Sequence, residues 1–101
     1  MATILQFDFP YPGPWGEAHV AALRELAESI AQEPGLIWKA WTENEAEGIA
    51  GGIYYFADEP SALAYKEMHS ARLAAFGVKD IRAKVFSVNE GLSAITRFNN
   101  A

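Results

Sequence analysis

The sequence of 101 residues predicts an α+β fold in which two helices lie on one face of a four-stranded antiparallel sheet. Segments with period-two and helical spacing alternate in the order strand, helix, strand, strand, helix, strand. Two strand segments, LIWKAWT and GGIYYF, also carry large apolar or aromatic side chains toward both faces. Because the helices cover only one face, a second copy of the chain is the simplest cover for the other.

The first half of the chain predicts a strand, a helix and a second strand. Residues 2–10 alternate between two sides, and Pro10 ends this strand because it has no N–H. Residues 17–33 have helical spacing, and the following Pro-Gly pair stops the helix before a strand at 36–43. The first strand places Leu5, Phe7 and Phe9 on one side, and the apolar residues at helical spacing are Val20, Leu23, Leu26, Ala27 and Ile30.

The second half predicts a hairpin, a helix and a last strand. The polar run at 43–48 is interpreted as a mobile hairpin loop before a third strand at 49–57. Asp58 is placed to cap a helix that runs to about Phe76. A fourth strand at 81–88 follows, and a tail with one short helix completes the chain.

This order of elements is the split βαβ or ferredoxin-like arrangement, βαββαβ. The length predicts a single domain, residues 1–101, with a short C-terminal tail from about residue 90. If two sheets pack face to face, the second set of aromatic side chains becomes buried. We therefore predict a homodimer that forms through the sheet faces.

Composition argues against several classes of partner. The net charge of −5 and eight scattered basic residues disfavour nucleic acid, whose binders cluster Lys and Arg. The absence of cysteine removes thiol chemistry, and two histidines without a ligand spacing predict no metal site. The start MATILQFDF is unlike a signal peptide, and no stretch reaches the roughly 20 apolar residues of a membrane span. We expect a cytoplasmic protein with no membrane contact.

Ionisable side chains fall on the inward faces of both helices. His19 lies with the apolar stripe of the first helix, and His69 and Arg72 lie on the stripe of the second. Burying such groups is costly unless they are paired, so a pocket with solvent or a ligand would explain them. The alternative is a core histidine bonded to backbone, with Arg72 reaching the helix terminus. The second stripe comprises Tyr65, Met68, His69, Arg72 and Phe76.

Aromatic residues on the two middle strands complete a candidate site. Trp and Tyr side chains on adjacent strands, beneath a helix that offers His, Arg and Tyr, suit a flat aromatic ligand. The predicted catalytic groups are His69 and Arg72. The same rings are also compatible with simple core packing. The predicted walls are Trp38, Trp41, Tyr54, Tyr55 and Tyr65.

Two further features receive a structural interpretation. Gly51 and Gly52 lie inside a strand, so they predict a bulge or the close approach of another backbone rather than a phosphate site. The acidic residues Glu43, Glu45 and Glu47 are interpreted as a solvated hairpin tip.

Four strings carry a resemblance to a known family: QEPGLIWKAWTE at 32–43, GGIYYFADEPSALAY at 51–65, His69, and AKVFSVNEGLS at 83–93. Together they resemble the YdhR family of small bacterial proteins, which are described as monooxygenases. The resemblance covers nearly the whole chain, from Ala2 to about Ser93. It implies a dimeric α/β barrel, with a cavity between helices and sheet in each protomer.

The resemblance also implies a cofactor-independent monooxygenase that acts on an aromatic small molecule, a polycyclic phenol or quinone precursor. In such a mechanism a base removes a substrate proton and the resulting anion reduces O₂ directly, without a cofactor. Our hypothesis gives His69 the base role and Arg72 the role of stabilising the anion.

Two other functions remain open. A non-catalytic dimer that binds an aromatic metabolite needs the same cavity but no base, and a structural interaction module needs no open cavity. Haem degradation, which a related branch of the superfamily performs, is disfavoured. That branch uses an Asn on the first strand and a Trp on the third, where this chain has Gln6, Tyr54 and Tyr55.

Overall fold

The computed structural model describes residues 2–98, which form one four-stranded sheet and three helices. The strand order is β2-β3-β1-β4, and all neighbours are antiparallel. This confirms the ferredoxin-like βαββαβ arrangement. The elements are β1 (Thr3–Pro10), α1 (Glu17–Ile30), β2 (Leu36–Asn44), β3 (Ile49–Phe56), α2 (Glu59–Ala75), β4 (Arg82–Ser87) and α3 (Glu90–Ile95).

The ends of the helices follow the local sequence signals. The Asp58 carboxylate accepts the Ser61 N–H at 2.8 Å, which caps α2 as predicted. Gly35 follows α1 with φ +81°, and Gly77 follows α2 with φ +88°. Glycine adopts this left-handed backbone without a Cβ clash, so both helices end and the chain turns back to the sheet.

The core lies between the helices and one face of the sheet. Leu5 and Phe7 of β1 and Tyr54 and Phe56 of β3 are fully buried there. Both helices contribute apolar side chains to this layer, which excludes water from the inner sheet face. The remaining buried members are Ile30, Ala62, Tyr65 and Leu73.

The predicted inward stripe of α2 was wrong at two positions. Met68 is 38% exposed and Phe76 is 71% exposed, whereas Leu73 is only 7% exposed. Phe76 is the C-cap residue, where the backbone leaves the helix, so its ring does not reach the core. The buried side of α2 instead comprises Ala62, Tyr65, His69 and Leu73.

The second face of the sheet, here called the outer sheet face, presents Ile4, Trp38, Ile53, Tyr55 and Phe86. Ile4, Trp38, Tyr55 and Phe86 lie opposite one another in the strand pairing, and Ile53 shares their face two residues before Tyr55. Trp38 and Phe86 are substantially exposed, whereas Tyr55 is buried. Phe98, after α3, packs on Tyr55 with ring centroids 4.9 Å apart, so the C-terminal tail covers part of this face. Across residues 2–98, no helix has the length and apolar character needed to cross a membrane.

Candidate functional site

A cavity of about 630 Å³ lies between the inner sheet face and the two long helices. This volume falls within the roughly 300–1,000 Å³ of small-molecule sites. Its wall is mostly apolar, and its polar groups come from β2, β3, both long helices and the segments that flank these helices. Residues that matter for its chemistry are Phe7, Lys39, Trp41, Tyr54, His69 and Leu73.

A larger groove of about 900 Å³ runs outside α1 and shares His19 and Trp41 with the cavity. Its floor is formed by small and aliphatic side chains of α1, and it is more open to solvent. We place the candidate site in the inner cavity because Lys39, Tyr54 and His69 converge there.

The structure brings most of the predicted site residues together. Trp41, Tyr54 and His69 line the cavity, and Tyr65 stacks on the His69 ring at 5.0 Å between centroids. Arg72 contacts His69 from the next turn of α2.

Trp38 and Tyr55 lie elsewhere. They pair across β2 and β3 on the outer sheet face, with ring centroids 5.7 Å apart. Because successive strand residues point to opposite faces, neither ring faces the cavity that Trp41 and Tyr54 line.

Arg72 fixes the tautomer of His69. The guanidinium donates to the Nδ1 atom of His69 from Nη2 at 2.9 Å and from Nε at 3.2 Å. Arginine can only donate, so Nδ1 must be the acceptor, and the proton of the neutral ring lies on Nε2. Burial, and then the charges of Arg72 and Lys39, lower the pKa of His69 to about 3. At neutral pH His69 is therefore a hydrogen-bond donor through Nε2.

Two tyrosine hydroxyls lie in the same layer. The Tyr65 hydroxyl donates to that of Tyr54 at 3.2 Å, and both side chains are buried. Burial raises the pKa of both phenols, so they stay neutral at physiological pH. They add hydrogen-bonding groups to the site without adding charge.

Lys39 is the functional group that the sequence analysis missed. It pairs with Tyr54 across β2 and β3. Its Nζ atom lies 3.2 Å from the centroid of the Trp41 ring and 4.4 Å from that of Tyr54. Burial, followed by the charge of Arg72, lowers the pKa of Lys39 to about 7. An amine with this pKa is partly neutral at physiological pH.

Gly52 makes room for the Lys39 side chain. A Cβ at position 52 would lie 2.5 Å from Cε of Lys39 and 3.3 Å from its Nζ. The neighbouring Gly51 lies against the backbone of Phe7, which confirms the predicted close approach. The sequence therefore contains two signals, a lysine between two tryptophans in β2 and a glycine pair in the neighbouring strand β3.

Glu43 joins the end of β2 to the start of α1 at the edge of the cavity. Its Oε2 atom accepts from Nδ1 of His19 at 2.6 Å and from the Gly16 N–H at 3.1 Å. The His19 ring stacks on Tyr11, with centroids 4.7 Å apart. The hydrogen bond from His19 lowers the pKa of Glu43. Glu43 is exposed, as the interpretation of a solvated segment expects, but it lies within β2 and accepts these two hydrogen bonds rather than standing in the hairpin tip.

The structure is thus a ferredoxin-like α+β fold with an internal cavity. The family model described as "Putative mono-oxygenase ydhR" matches residues 4–99, and the chain belongs to this family. A comparison with curated proteins gave no match.

Three solved structures resemble the chain at low sequence identity, so the likeness concerns the fold. SnoaB, a cofactor-independent oxygenase from Streptomyces nogalater, has 16% identity and a TM-score of 0.60, covering 87% of this chain and 93% of its own. An antibiotic biosynthesis monooxygenase, named as putative, from Deinococcus radiodurans has 16% identity and a TM-score of 0.55, covering 88% and 93%. Protein YJCS has 12% identity and a TM-score of 0.61, covering 88% and 100%.

Proposed function

We propose that this protein is a cofactor-independent monooxygenase that acts on a phenolic or quinone-precursor aromatic molecule. The observation that carries the proposal is the convergence of Lys39, His69 and Tyr54 in an apolar cavity with aromatic walls. The monooxygenase description of the family supports an oxygenase activity. The cofactor-independent oxygenase among the structural neighbours supports a reaction that needs no cofactor.

The reaction balances without an added reductant. A base removes a proton from an activated CH₂ group, and the carbanion adds O₂ to give a hydroperoxide. Loss of water from this hydroperoxide leaves a carbonyl group. One oxygen atom enters the product and the other leaves as water, so the substrate supplies all four electrons that O₂ accepts.

The cavity residues have distinct parts in this chemistry. Trp41 and Tyr54 hold a planar substrate by ring contacts. His69 donates from Nε2 to the oxygen that carries the developing negative charge, and Arg72 keeps the ring in this tautomer. Because His69 carries its free proton on Nε2, it serves the anion as a donor and leaves the base role to another group.

Oxygen uptake by purified, metal-free protein tests the proposal. The panel is anthrones, hydroquinones and polyphenols, with substrate autoxidation subtracted. Saturable uptake with an oxygenated product is expected. Binding of panel members without oxygen uptake would indicate instead a protein that binds aromatic metabolites without catalysis.

Tryptophan fluorescence locates the ligand independently of turnover. Trp41 lines the cavity and Trp38 lies on the outer sheet face. Ligand quenching should therefore be lost in Trp41→Phe and retained in Trp38→Phe. The reverse pattern would place the ligand on the other side of the sheet.

We further propose that the protein is a homodimer that packs through the outer sheet face. Trp38 and Phe86 expose apolar rings there, which supports an apolar contact with a second copy. Light scattering at micromolar concentration should give twice the chain mass for wild type and the chain mass for Phe86→Glu. Leu63→Glu, an exposed change on α2, should leave the dimer intact; a monomeric wild type would contradict the proposal.

A further inference from the structure

The amine of Lys39 lies within the cavity, in contact with two aromatic rings. Lys39 extends along the inner sheet face into the space above Gly52, and its Nζ atom lies against the Trp41 and Tyr54 rings. The charged groups that act on it include Arg72 from α2, and the cavity rim adds Lys79 and Asp80. An amine in this position is desolvated and is pushed toward its neutral form by a neighbouring cation.

The hydrogen bonds of the other cavity groups show which of their atoms donate and which accept. Nδ1 of His69 accepts from Arg72, whereas Nδ1 of His19 donates to Glu43, so the lone pair of a neutral His19 ring lies on Nε2, in a ring that stacks on Tyr11 at the α1 side of the cavity. The Tyr54 and Tyr65 hydroxyls bond each other and stay protonated. Asp80 lies exposed in the turn after α2, at the rim.

We propose that Lys39 is the proton acceptor of the site, and that the ligand is an acidic phenol or enol bound as its anion between Lys39 and His69. This inference rests on the proposed function for its place in a reaction. Its binding step is separate from oxygen chemistry. The substrate O–H or C–H bond breaks, the proton forms a new N–H bond at Nζ, and the electron pair stays on the substrate.

The pKa of Lys39 is lowered to about 7, so most of the amine is uncharged at a pH slightly above this value and can accept a proton. The ammonium ion that forms lies beside the new anion and stabilises it. The proton transfer places a second cation near Arg72, and the attraction of both cations for the ligand anion offsets their mutual repulsion.

Absorption spectra of bound 2-naphthol test the proposal in the absence of O₂. At about pH 8 free 2-naphthol is un-ionised, as expected of a phenol. Bound to wild-type protein it should show the naphtholate band without releasing a proton to the buffer. Lys39→Met should bind the un-ionised form, with the ionised fraction lowered at least about tenfold, the equivalent of one pKa unit.

Three controls make the test specific. Lys66→Met removes a lysine outside the cavity and should behave as wild type. Gly52→Ala keeps the amine but displaces it, and should also reduce the naphtholate band. Lys39→Arg offers a cation that accepts no proton, so any naphtholate it binds must release a proton to the buffer.

An un-ionised ligand in the wild type, or an equal naphtholate band in Lys39→Met, would overturn the assignment of Lys39. A failure of binding by wild type would overturn it as well. Oxygen uptake is measured separately. A bound naphtholate without turnover would therefore support Lys39 as the proton acceptor and contradict only the proposed oxygenase activity.

Discussion

At the scale of single residues, the Arg72–His69 contact decides what the histidine can do. The guanidinium occupies Nδ1, so the ring presents an N–H group to the site rather than a lone pair. A histidine alone in the sequence is compatible with either role. Arg72, one helical turn away, selects the role of donor through Nε2.

Arg72→Met should free Nδ1 and raise the pKa of His69, because a cation that opposes protonation is removed. Nitrogen chemical shifts of the ring report both changes directly. Arg24→Met, an exposed change on α1, serves as the control. A His69 ring with the same tautomer and pKa in Arg72→Met would show that Arg72 does not set its state.

Lys39 should make stability depend on pH. Its folded pKa of about 7 lies below the ordinary value of 10.5, so between these values the unfolded chain binds the extra proton. The free energy of unfolding should therefore rise with pH from about 7 to 9.5, below the ionisation of tyrosine, by up to a few kcal/mol. Urea unfolding should show that Lys39→Met removes this rise; an identical pH slope in both proteins would contradict it.

At the scale of elements, α2 positions the site through its buried side. Tyr65, His69 and Leu73 follow one another at four-residue spacing and face the inner sheet surface. Leu73 also lines the cavity beside His69. The packing of α2 thus holds His69 at a fixed depth above Tyr54.

Leu73→Ala should lower the free energy of unfolding by about 2–4 kcal/mol, since it empties a buried site. Met68→Ala, on the exposed side, should cost less than about 1 kcal/mol. Chemical denaturation measures both. Equal losses would mean that α2 is rotated toward the stripe predicted from sequence.

The connection between β1 and α1 is tied to β2 by Glu43. The Gly16 N–H donates to this carboxylate, so Glu43→Gln should increase hydrogen exchange at Gly16 several-fold. Glu45→Gln, in the turn that follows β2, should leave that exchange rate unchanged. Unaltered protection of Gly16 in Glu43→Gln would rule out the tie.

The hydrogen bond from the Gly16 N–H to the Glu43 carboxylate should weaken in acid. The folded pKa of Glu43 is lowered, so its contribution is present above the ordinary glutamate pKa and is lost as pH falls through the folded value. The protection factor of the Gly16 amide should follow this course in wild type.

At the scale of the whole molecule, the fold was predictable because each signal is local. Alternation in β1, the Asp58 cap and the glycines after both helices specify the elements and their order. The faces of β2 were not predictable. The register shifts between Leu36 and Trp38, and both faces of the strand are apolar, so periodicity could not tell which tryptophan points inward.

Lys39 shows why the site was harder to predict than the fold. A lysine in a strand is usually solvated, and only the pairing with Tyr54, beside a glycine at position 52, leaves Lys39 space against two rings. That arrangement depends on the register between β2 and β3. The sequence alone does not show which of these side chains point to the same face of the sheet.

The central claim is that this cavity oxygenates an aromatic substrate with no cofactor. The most direct measurement is mass spectrometry of the product formed by metal-free protein under isotopically labelled O₂. We predict one labelled oxygen atom in the product, and a large loss in the rate of product formation in Lys39→Met. A product without label, or a rate equal to autoxidation, would contradict it.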